Sequence, residues 1–139
     1  MTVQDPDVVA TSGAESAAAA GPRAGQIWLT VRTVSEGVTV VAVSGEVDML
    51  TAPQLRADVL PHLDESSTLV LDMSGVSFLG SAGLAVLVEA SQHAKRRGAA
   101  FRVVAVERAV TRPLAATGLG EVFSVFESVE RALEADEPR

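Results

Sequence analysis

Two β-type patterns stand close together where the patterned part of the chain begins. From Ile27, IWLTVRTV alternates apolar and polar residues, and VTVVAVSGEV follows after the turn residues SEG. Alternation with a period of two predicts half-buried strands, and the glycine in the short connection predicts that they pair as a hairpin. Gly45, near the end of the second strand, is typical of a bulge or bend.

A helical pattern follows in DMLTAPQLRADVLPHL. Thr51 and Gln54 have the spacing of a capping box, and Pro53 lies in the first turn, where its missing N–H costs nothing. The predicted buried stripe of this helix consists of Leu55, Val59 and Leu63. Pro61 is expected to weaken or stop the helix near its end.

The middle of the chain predicts a buried strand and then a long helix. STLVLDMSGV contains a continuous apolar run, which suits a strand covered on both faces, and Gly75 predicts a turn near its end. Ser81 then opens a helix through AGLAVLVEASQHAKRR, and Gly98 is placed to end it.

Two more pairs of strand and helix complete the chain. AAFRVVAV predicts a strand, and ERAVTRPLAATGLG predicts a short helix that Gly118 closes; Pro113 either lies in its first turn or kinks it. VFSVF predicts a last strand, and ESVERALEAD predicts a terminal helix with Val129, Ala132 and Leu133 facing inward. The order predicts an α/β fold: a small, mixed, mostly parallel sheet of about five strands, the first antiparallel, with about four helices packed against it.

Composition sets the domain limits and narrows the choice of partners. Residues 1–25 are rich in Ala, Ser, Gly and Pro and predict a disordered leader, which leaves 26–136 as one folded domain. There is no cysteine, no secretory signal pattern and no apolar run long enough to span a bilayer, so we expect a cytoplasmic protein without a membrane partner. The net charge of −7 argues against a nucleic-acid partner, because an acidic surface repels phosphates.

Catalytic and metal-binding residue types are scarce. His62 and His93 each lie in a predicted helix among polar neighbours, where a solvent-facing side chain is expected. No His–Cys metal site can form and no H-E-x-x-H pattern occurs, so we expect no metal and no other cofactor.

Ser81 is the candidate functional residue that the pattern isolates. It follows a predicted strand and opens a predicted helix, where free N–H groups and the helix dipole favour negative charge. Gly80 and Gly83 flank it and leave the backbone open to another chain. A phosphate added here would gain N–H bonds within its own protein and would place about −1.5 to −2 charges on the surface that a partner must touch. A helix N-cap is the simpler role for this serine.

A serine-hydrolase role for Ser81 fails on the sequence. The motif G-x-S-x-G needs a glycine at the position of Leu79, and no acid or histidine has motif-like spacing, so we expect no enzymatic activity. In the helix after Ser81, one face carries Leu84, Leu87, Val88 and Ser91, while Ala85 and Val86 lie off it. The start of that helix is either buried nearly all round or exposes an apolar patch to a partner.

Glu46 and Asp48 form a second candidate site, at a strand end before a helix. Paired carboxylates can serve acid–base chemistry, although carboxylates in such loops are usually solvated or cap the helix. In an α/β sheet this loop could lie beside the Ser81 loop and form one acidic, hydroxyl-bearing edge.

Three blocks of the chain together resemble the STAS domain in the version found in bacterial anti-sigma factor antagonists. They are GEVDMLTAPQLRADV, LVLDMSGVSFLGSAGLAVLV and RVVAVERAVTRPLAATGL, and the resemblance covers about residues 27–135. It implies a regulator of transcription that binds an anti-sigma factor, itself a serine/threonine kinase with bound adenine nucleotide, and so frees the sigma factor. It also implies that phosphorylation of the serine opening the central helix ends this capture and that a protein phosphatase restores it.

The resemblance places the phosphorylated serine at Ser81 and the partner-binding residues in two loops. These are Glu46, Asp48, Thr51, Gly80, Ser81, Ala82, Gly83, Leu84 and Val86. The family turn often has an acid where this chain has Gly80, and a second hydroxyl where it has Ala82. The missing acid keeps open a second interpretation, an interaction module that works without phosphorylation. A third is a small nucleotide-binding or hydrolytic domain, although neither G-x-x-x-x-G-K-[ST] nor G-x-G-x-x-G is present.

Overall fold

The computed structural model describes residues 26–135, which form five strands and four α-helices in the predicted order. The strands are β1 (Ile27–Ser35), β2 (Val38–Val47), β3 (Thr68–Leu79), β4 (Ala100–Val104) and β5 (Ser124–Phe126). The helices are α1 (Ala52–Glu65), α2 (Ser81–Arg97), α3 (Arg108–Thr117) and α4 (Val129–Glu134), with a 3₁₀ turn at Leu119–Glu121. The predicted leader at residues 1–25 lies outside the described residues, as does residue 136 of the predicted domain.

The strands lie in the sheet in the same order as in the chain, β1-β2-β3-β4-β5. β1 is antiparallel to β2 and every later pair is parallel, which confirms the predicted mixed sheet. Each crossover advances by one strand in the same direction, so right-handed crossovers place α1, α2 and α3 on one face. The loops that lead into these three helices therefore lie at the carboxyl end of the parallel strands.

Each face of the sheet has its own core. The larger core lies between the sheet and α1–α3 and includes the fully buried Leu55 and Leu87. The smaller joins three strand valines to Ala132 of α4, which faces inward as predicted. These valines are Val40, Val70 and Val104. Beyond α4, strand residues that include Trp28 and Asp72 line a hollow of about 220 Å³.

Two prolines lie inside helices. The expectation that Pro61 stops α1 is wrong, because the helix continues to Glu65. Proline deprives the Ala57 carbonyl of its helical donor, but Ala57 is exposed and water can replace that donor. Pro113 is the sixth residue of α3, beyond the first turn, and the helix continues past it to Thr117.

Glycines mark two irregular positions in the sheet. Gly45 forms the predicted bulge: its φ is +106°, the β2–β3 register shifts beside it, and a Cβ there would overlap the carbonyl oxygen of Gln26. The predicted turn at Gly75 is wrong, because β3 continues to Leu79. Gly75 instead lies opposite Ser44, where a Cβ would come within 2.7 Å of the Ser44 Cβ. The helix-ending glycines Gly98 and Gly118 are as predicted.

Polar contacts join α1 to α2. Arg56 binds the carboxylate of Glu89 through two hydrogen bonds of 2.8 and 2.7 Å. His93 Nε2 lies 2.7 Å from Asp64 Oδ1, and His62 Nδ1 lies 2.7 Å from a carbonyl oxygen one turn earlier in α1. Both histidines are half-buried, so they face solvent only in part.

Candidate functional site

The β2–α1 and β3–α2 loops lie side by side at the carboxyl end of the sheet. Val47 and Leu79, the last residues of their strands, are partners in the parallel register. The amide of Gly80 donates to the carbonyl oxygen of Val47 at 2.9 Å and ties the two strand ends together. The expectation that the Asp48 loop lies beside the Ser81 loop is confirmed.

Ser81 is the first residue of α2, and Gly80 occupies the N-cap position. The expectation that Ser81 caps the helix is wrong, because the Gly80 carbonyl already accepts the first helical bonds, from Gly83 N at 3.0 Å and Leu84 N at 3.1 Å. Ser81 is exposed, and no residue in the range 26–135 hydrogen-bonds its hydroxyl. As the first residue of α2, Ser81 lies at the helix N-terminus, where the helix dipole favours an anion.

The ring of Phe78 lies against Gly80, next to Ser81. A Cβ on Gly80 would come within 3.1 Å of Phe78 Cε2, so an acid at this position would have to displace the ring slightly. Phe78 is half exposed, at 50%. Ala82, on the other side of Ser81, is half-buried and packs against the larger core. The two departures from the family turn thus leave a single hydroxyl beside an aromatic ring.

The start of α2 faces the core more than the solvent. A Cβ on Gly83 would lie 2.6 Å from both Val47 Cγ1 and Leu79 Cδ1. Gly83 makes room for these side chains, so the expectation that it leaves room for another chain is wrong. Val86 is only 6% exposed, so at this residue burial holds and not the exposed patch that the sequence also allowed. Leu84 is half-buried, and core packing accounts for most of this apolar stretch.

Thr51 occupies the N-cap position of α1, but the predicted capping box is wrong. Its hydroxyl donates to the carbonyl oxygen of Glu46 at 2.7 Å and accepts from the amide of Asp48 at 2.9 Å. Because these partners precede the helix, the buried Thr51 side chain joins α1 to the end of β2 rather than to its own first turn.

The carboxylate of Asp48 holds the same loop. Its Oδ1 accepts from the amides of Thr51 at 3.0 Å and Leu50 at 2.9 Å. The bond from the Thr51 amide is the main cause that lowers the pKa of Asp48 below its ordinary value of 3.8, because it stabilises the charged form. Glu46, the other predicted carboxylate, is half-buried on β2 and lies opposite Phe78 in the register.

Sequence reasoning missed the most exposed apolar residues of these loops. Met49 and Leu50 are 76% and 79% exposed in the loop after β2, and Phe78, near the end of the neighbouring β3, is the third large exposed apolar residue at these two strand ends. We call these three residues the apolar edge. The available signal was the dipeptide Met-Leu in a strand-to-helix connection, where polar turn residues are usual. Val106, 51% exposed, follows β4 at the same end of the sheet.

Two further kinds of site are not found in the part of the chain that the structure describes. No three His, Cys, Asp or Glu residues there are grouped so that they could hold a metal ion. No helix between residues 26 and 135 is both long and apolar enough to cross a membrane.

The sheet order, the three helices on one face and the two adjoining loops define a small α/β domain with its candidate site at the carboxyl end of the parallel strands. The chain belongs to the STAS domain family, whose model matches residues 30–132. It is 36% identical over 98 residues to the anti-sigma-F factor antagonist RsfB of Mycobacterium tuberculosis, covering 70% of this chain and 80% of RsfB. It is 26% identical to the anti-sigma-B factor antagonist of Bacillus subtilis, over 68% of this chain and 86% of that protein.

A solved structure shows the same architecture. The crystal structure of an anti-sigma factor antagonist from Mycobacterium paratuberculosis superposes with a TM-score of 0.72 at 38% sequence identity. The match covers 78% of this chain and 92% of that one. The predicted STAS fold is therefore confirmed.

Proposed function

We propose that this chain is an anti-sigma factor antagonist: it binds an anti-sigma factor of the serine-kinase type, with bound adenine nucleotide, and thereby releases a sigma factor. The names of RsfB and of the Bacillus subtilis relative support this role. In this proposal the chain acts in the cytoplasm by reversible binding and not as an enzyme. The observation that carries the proposal is the apolar edge beside the exposed hydroxyl of Ser81.

The apolar edge is the surface on which the partner binds. Contiguous exposed apolar side chains are costly to leave in water, and on small soluble domains they mark interaction surfaces. Aromatic residues and methionine are also enriched in the cores of protein interfaces, which fits Phe78 and Met49. Leu50 completes a surface that a partner can cover together with Ser81.

Phosphorylation of Ser81 switches the complex off, and a phosphatase switches it on again. The exposed hydroxyl has no partner to lose among the described residues, so a kinase can reach it without opening the fold. A phosphate would be stabilised by the first-turn N–H groups of α2. The charge of that phosphate, about −1.5 to −2, would lie beside Phe78. A partner that covered Phe78 would have to desolvate this charge.

The test is phosphate transfer and binding with the cognate anti-sigma factor and ATP. We expect mass spectrometry to find phosphate on Ser81, none after Ser81→Ala, and normal transfer after Ser74→Ala, which removes another exposed serine. Ser81→Glu should weaken the complex and Ser81→Ala should preserve it. Binding without any transfer, with Ser81→Glu as tight as the unmodified chain, would refute the switch.

Gly80 favours one alternative, an interaction module that does not use phosphorylation. The position lacks the acid common in the family turn and instead accommodates the Phe78 ring. Gly80→Asp distinguishes the two: if it creates phosphate transfer to Ser81 where the unmodified chain shows none, the natural chain is the phosphorylation-independent form.

A further inference from the structure

Met49 and Leu50 are two adjacent apolar side chains exposed beyond three quarters of their surface. They lie between β2 and α1, next to Asp48 and Thr51, whose side chains hydrogen-bond within the loop. The larger core includes neither side chain. Their exposure therefore comes from the shape of the loop and contributes nothing to the core.

The loop that carries them is held in place without their help. The carbonyl oxygen of Asp48 accepts from Ala52 N at 2.8 Å, and its carboxylate accepts from the amides of Leu50 and Thr51. The Thr51 hydroxyl closes the ring of bonds by linking the Asp48 amide to the Glu46 carbonyl. A loop ordered in advance binds at a lower entropic cost than one that orders on contact.

The charge of Asp48 is directed into this loop. Two amide donors converge on its Oδ1, and they account for its lowered pKa. A basic group of a partner that approached Oδ1 would compete with the bonds that shape the loop. The side chains that project from the loop are the apolar ones, Met49 and Leu50.

We propose that Met49 and Leu50 are the specificity-determining contact with the anti-sigma factor, that they insert into an apolar cleft on it, and that Asp48 is a positioning residue. This inference rests on the proposed function and adds the chemistry of the partner's site. Continuity with Phe78 and Ser81 argues for this occupant, because a partner that responds to Ser81 covers the adjoining loop as well.

The experiment measures the affinity of the full chain for its anti-sigma factor, with folding of each variant checked by circular dichroism. The double variant Met49→Ser/Leu50→Ser should raise Kd by about tenfold or more, mainly through faster dissociation. Val122→Ser is the matched control, because Val122 is a large exposed apolar residue outside these loops, and its Kd should not change. Raising the salt from about 50 to about 500 mM should change the Kd of the unmodified chain little.

Two substitutions at Asp48 separate positioning from direct recognition. Asp48→Ala removes the acceptor and should weaken binding, whereas Asp48→Asn keeps an oxygen for the Leu50 and Thr51 amides and should restore it. If Asp48→Asn binds as weakly as Asp48→Ala and salt weakens the unmodified complex strongly, the partner reads the charge and the positioning role is wrong. If the double serine variant binds normally, the contact itself is wrong while the proposed function stands. If the unmodified chain does not bind an anti-sigma factor, the proposed function fails.

Discussion

Replacing Gly83 by alanine tests the closest approach between α2 and the sheet. The new Cβ would lie 2.6 Å from Val47 Cγ1 and from Leu79 Cδ1, both on side chains of the larger core. Neither neighbour is the free end of a long flexible chain, and both are buried to 4% exposure or less. The helix must therefore move away from the sheet, or the two side chains must leave their preferred rotamers.

The expected cost follows from two opposing effects. Overpacking a well-packed core costs about 1–3 kcal/mol. Alanine favours the helix over glycine by up to about 1 kcal/mol, and less than that in the first turn. We therefore expect Gly83→Ala to lower the free energy of unfolding by about 1–2 kcal/mol, and Tm by several degrees.

Urea unfolding is the assay, followed by the fluorescence of Trp28, the single tryptophan, and by circular dichroism. Gly120→Ala is the matched control: the substitution is the same, but a Cβ there meets no atom within 4 Å. We expect the control to change stability by no more than about 0.5 kcal/mol.

Equal stability of the Gly83 and Gly120 variants would refute the close approach of α2 to the sheet. A Gly83→Ala chain of normal stability that fails to bind its partner would show something further. The glycine would then serve the complex, as the sequence predicts, and close packing against Val47 and Leu79 would not be the reason for it.

Two further predictions concern single hydrogen-bonded groups. The pKa of Asp48, measured by NMR titration, should lie below 3.8, so its contribution to stability is complete above that value and is lost as pH falls from 3.8 through the folded-state pKa. Thr51→Val removes the hydroxyl but keeps the amide that is the main cause, so it should raise the pKa only part of the way towards 3.8. A titration at or above 3.8 in the unmodified chain would contradict the hydrogen-bond geometry. Arg102 is 5% exposed and donates from Nη1 to the Ala132 carbonyl oxygen at 2.8 Å. Arg102→Met should therefore lower the free energy of unfolding by about 1.5–3 kcal/mol and speed amide hydrogen exchange in α4. Unchanged exchange in α4 would show that this bond does not hold the helix.

The order and type of the elements could be predicted because each depends on a local pattern. Alternation predicted β1 and β2, glycines predicted the ends of α2 and α3, and strict alternation of strand and helix predicted a mostly parallel sheet. The predictions that were wrong concern residues whose conformation depends on a neighbour in space and not on the local sequence. Pro61 remains in a helix because the carbonyl it leaves unpaired is on the exposed side. Gly75 lies within a strand, and Ser44 of the neighbouring strand leaves no room for a side chain there, so the glycine serves close packing and not a turn.

The candidate site likewise has features that the sequence predicted and features that only the structure determined. The sequence by itself identified both loops, the lone hydroxyl of Ser81 and the family, because turn residues and motif spacing are local properties. Only the tertiary structure decided which side chains the surface presents. Val86 faces inward, the space beside Gly83 is filled by other side chains of the same chain, and Asp48 Oδ1 accepts from the backbone of its own loop. Met49 and Leu50 face outward although they are apolar. Hydrophobicity favours burial of any apolar residue, but the packing of helices on the sheet determines which of them can be buried.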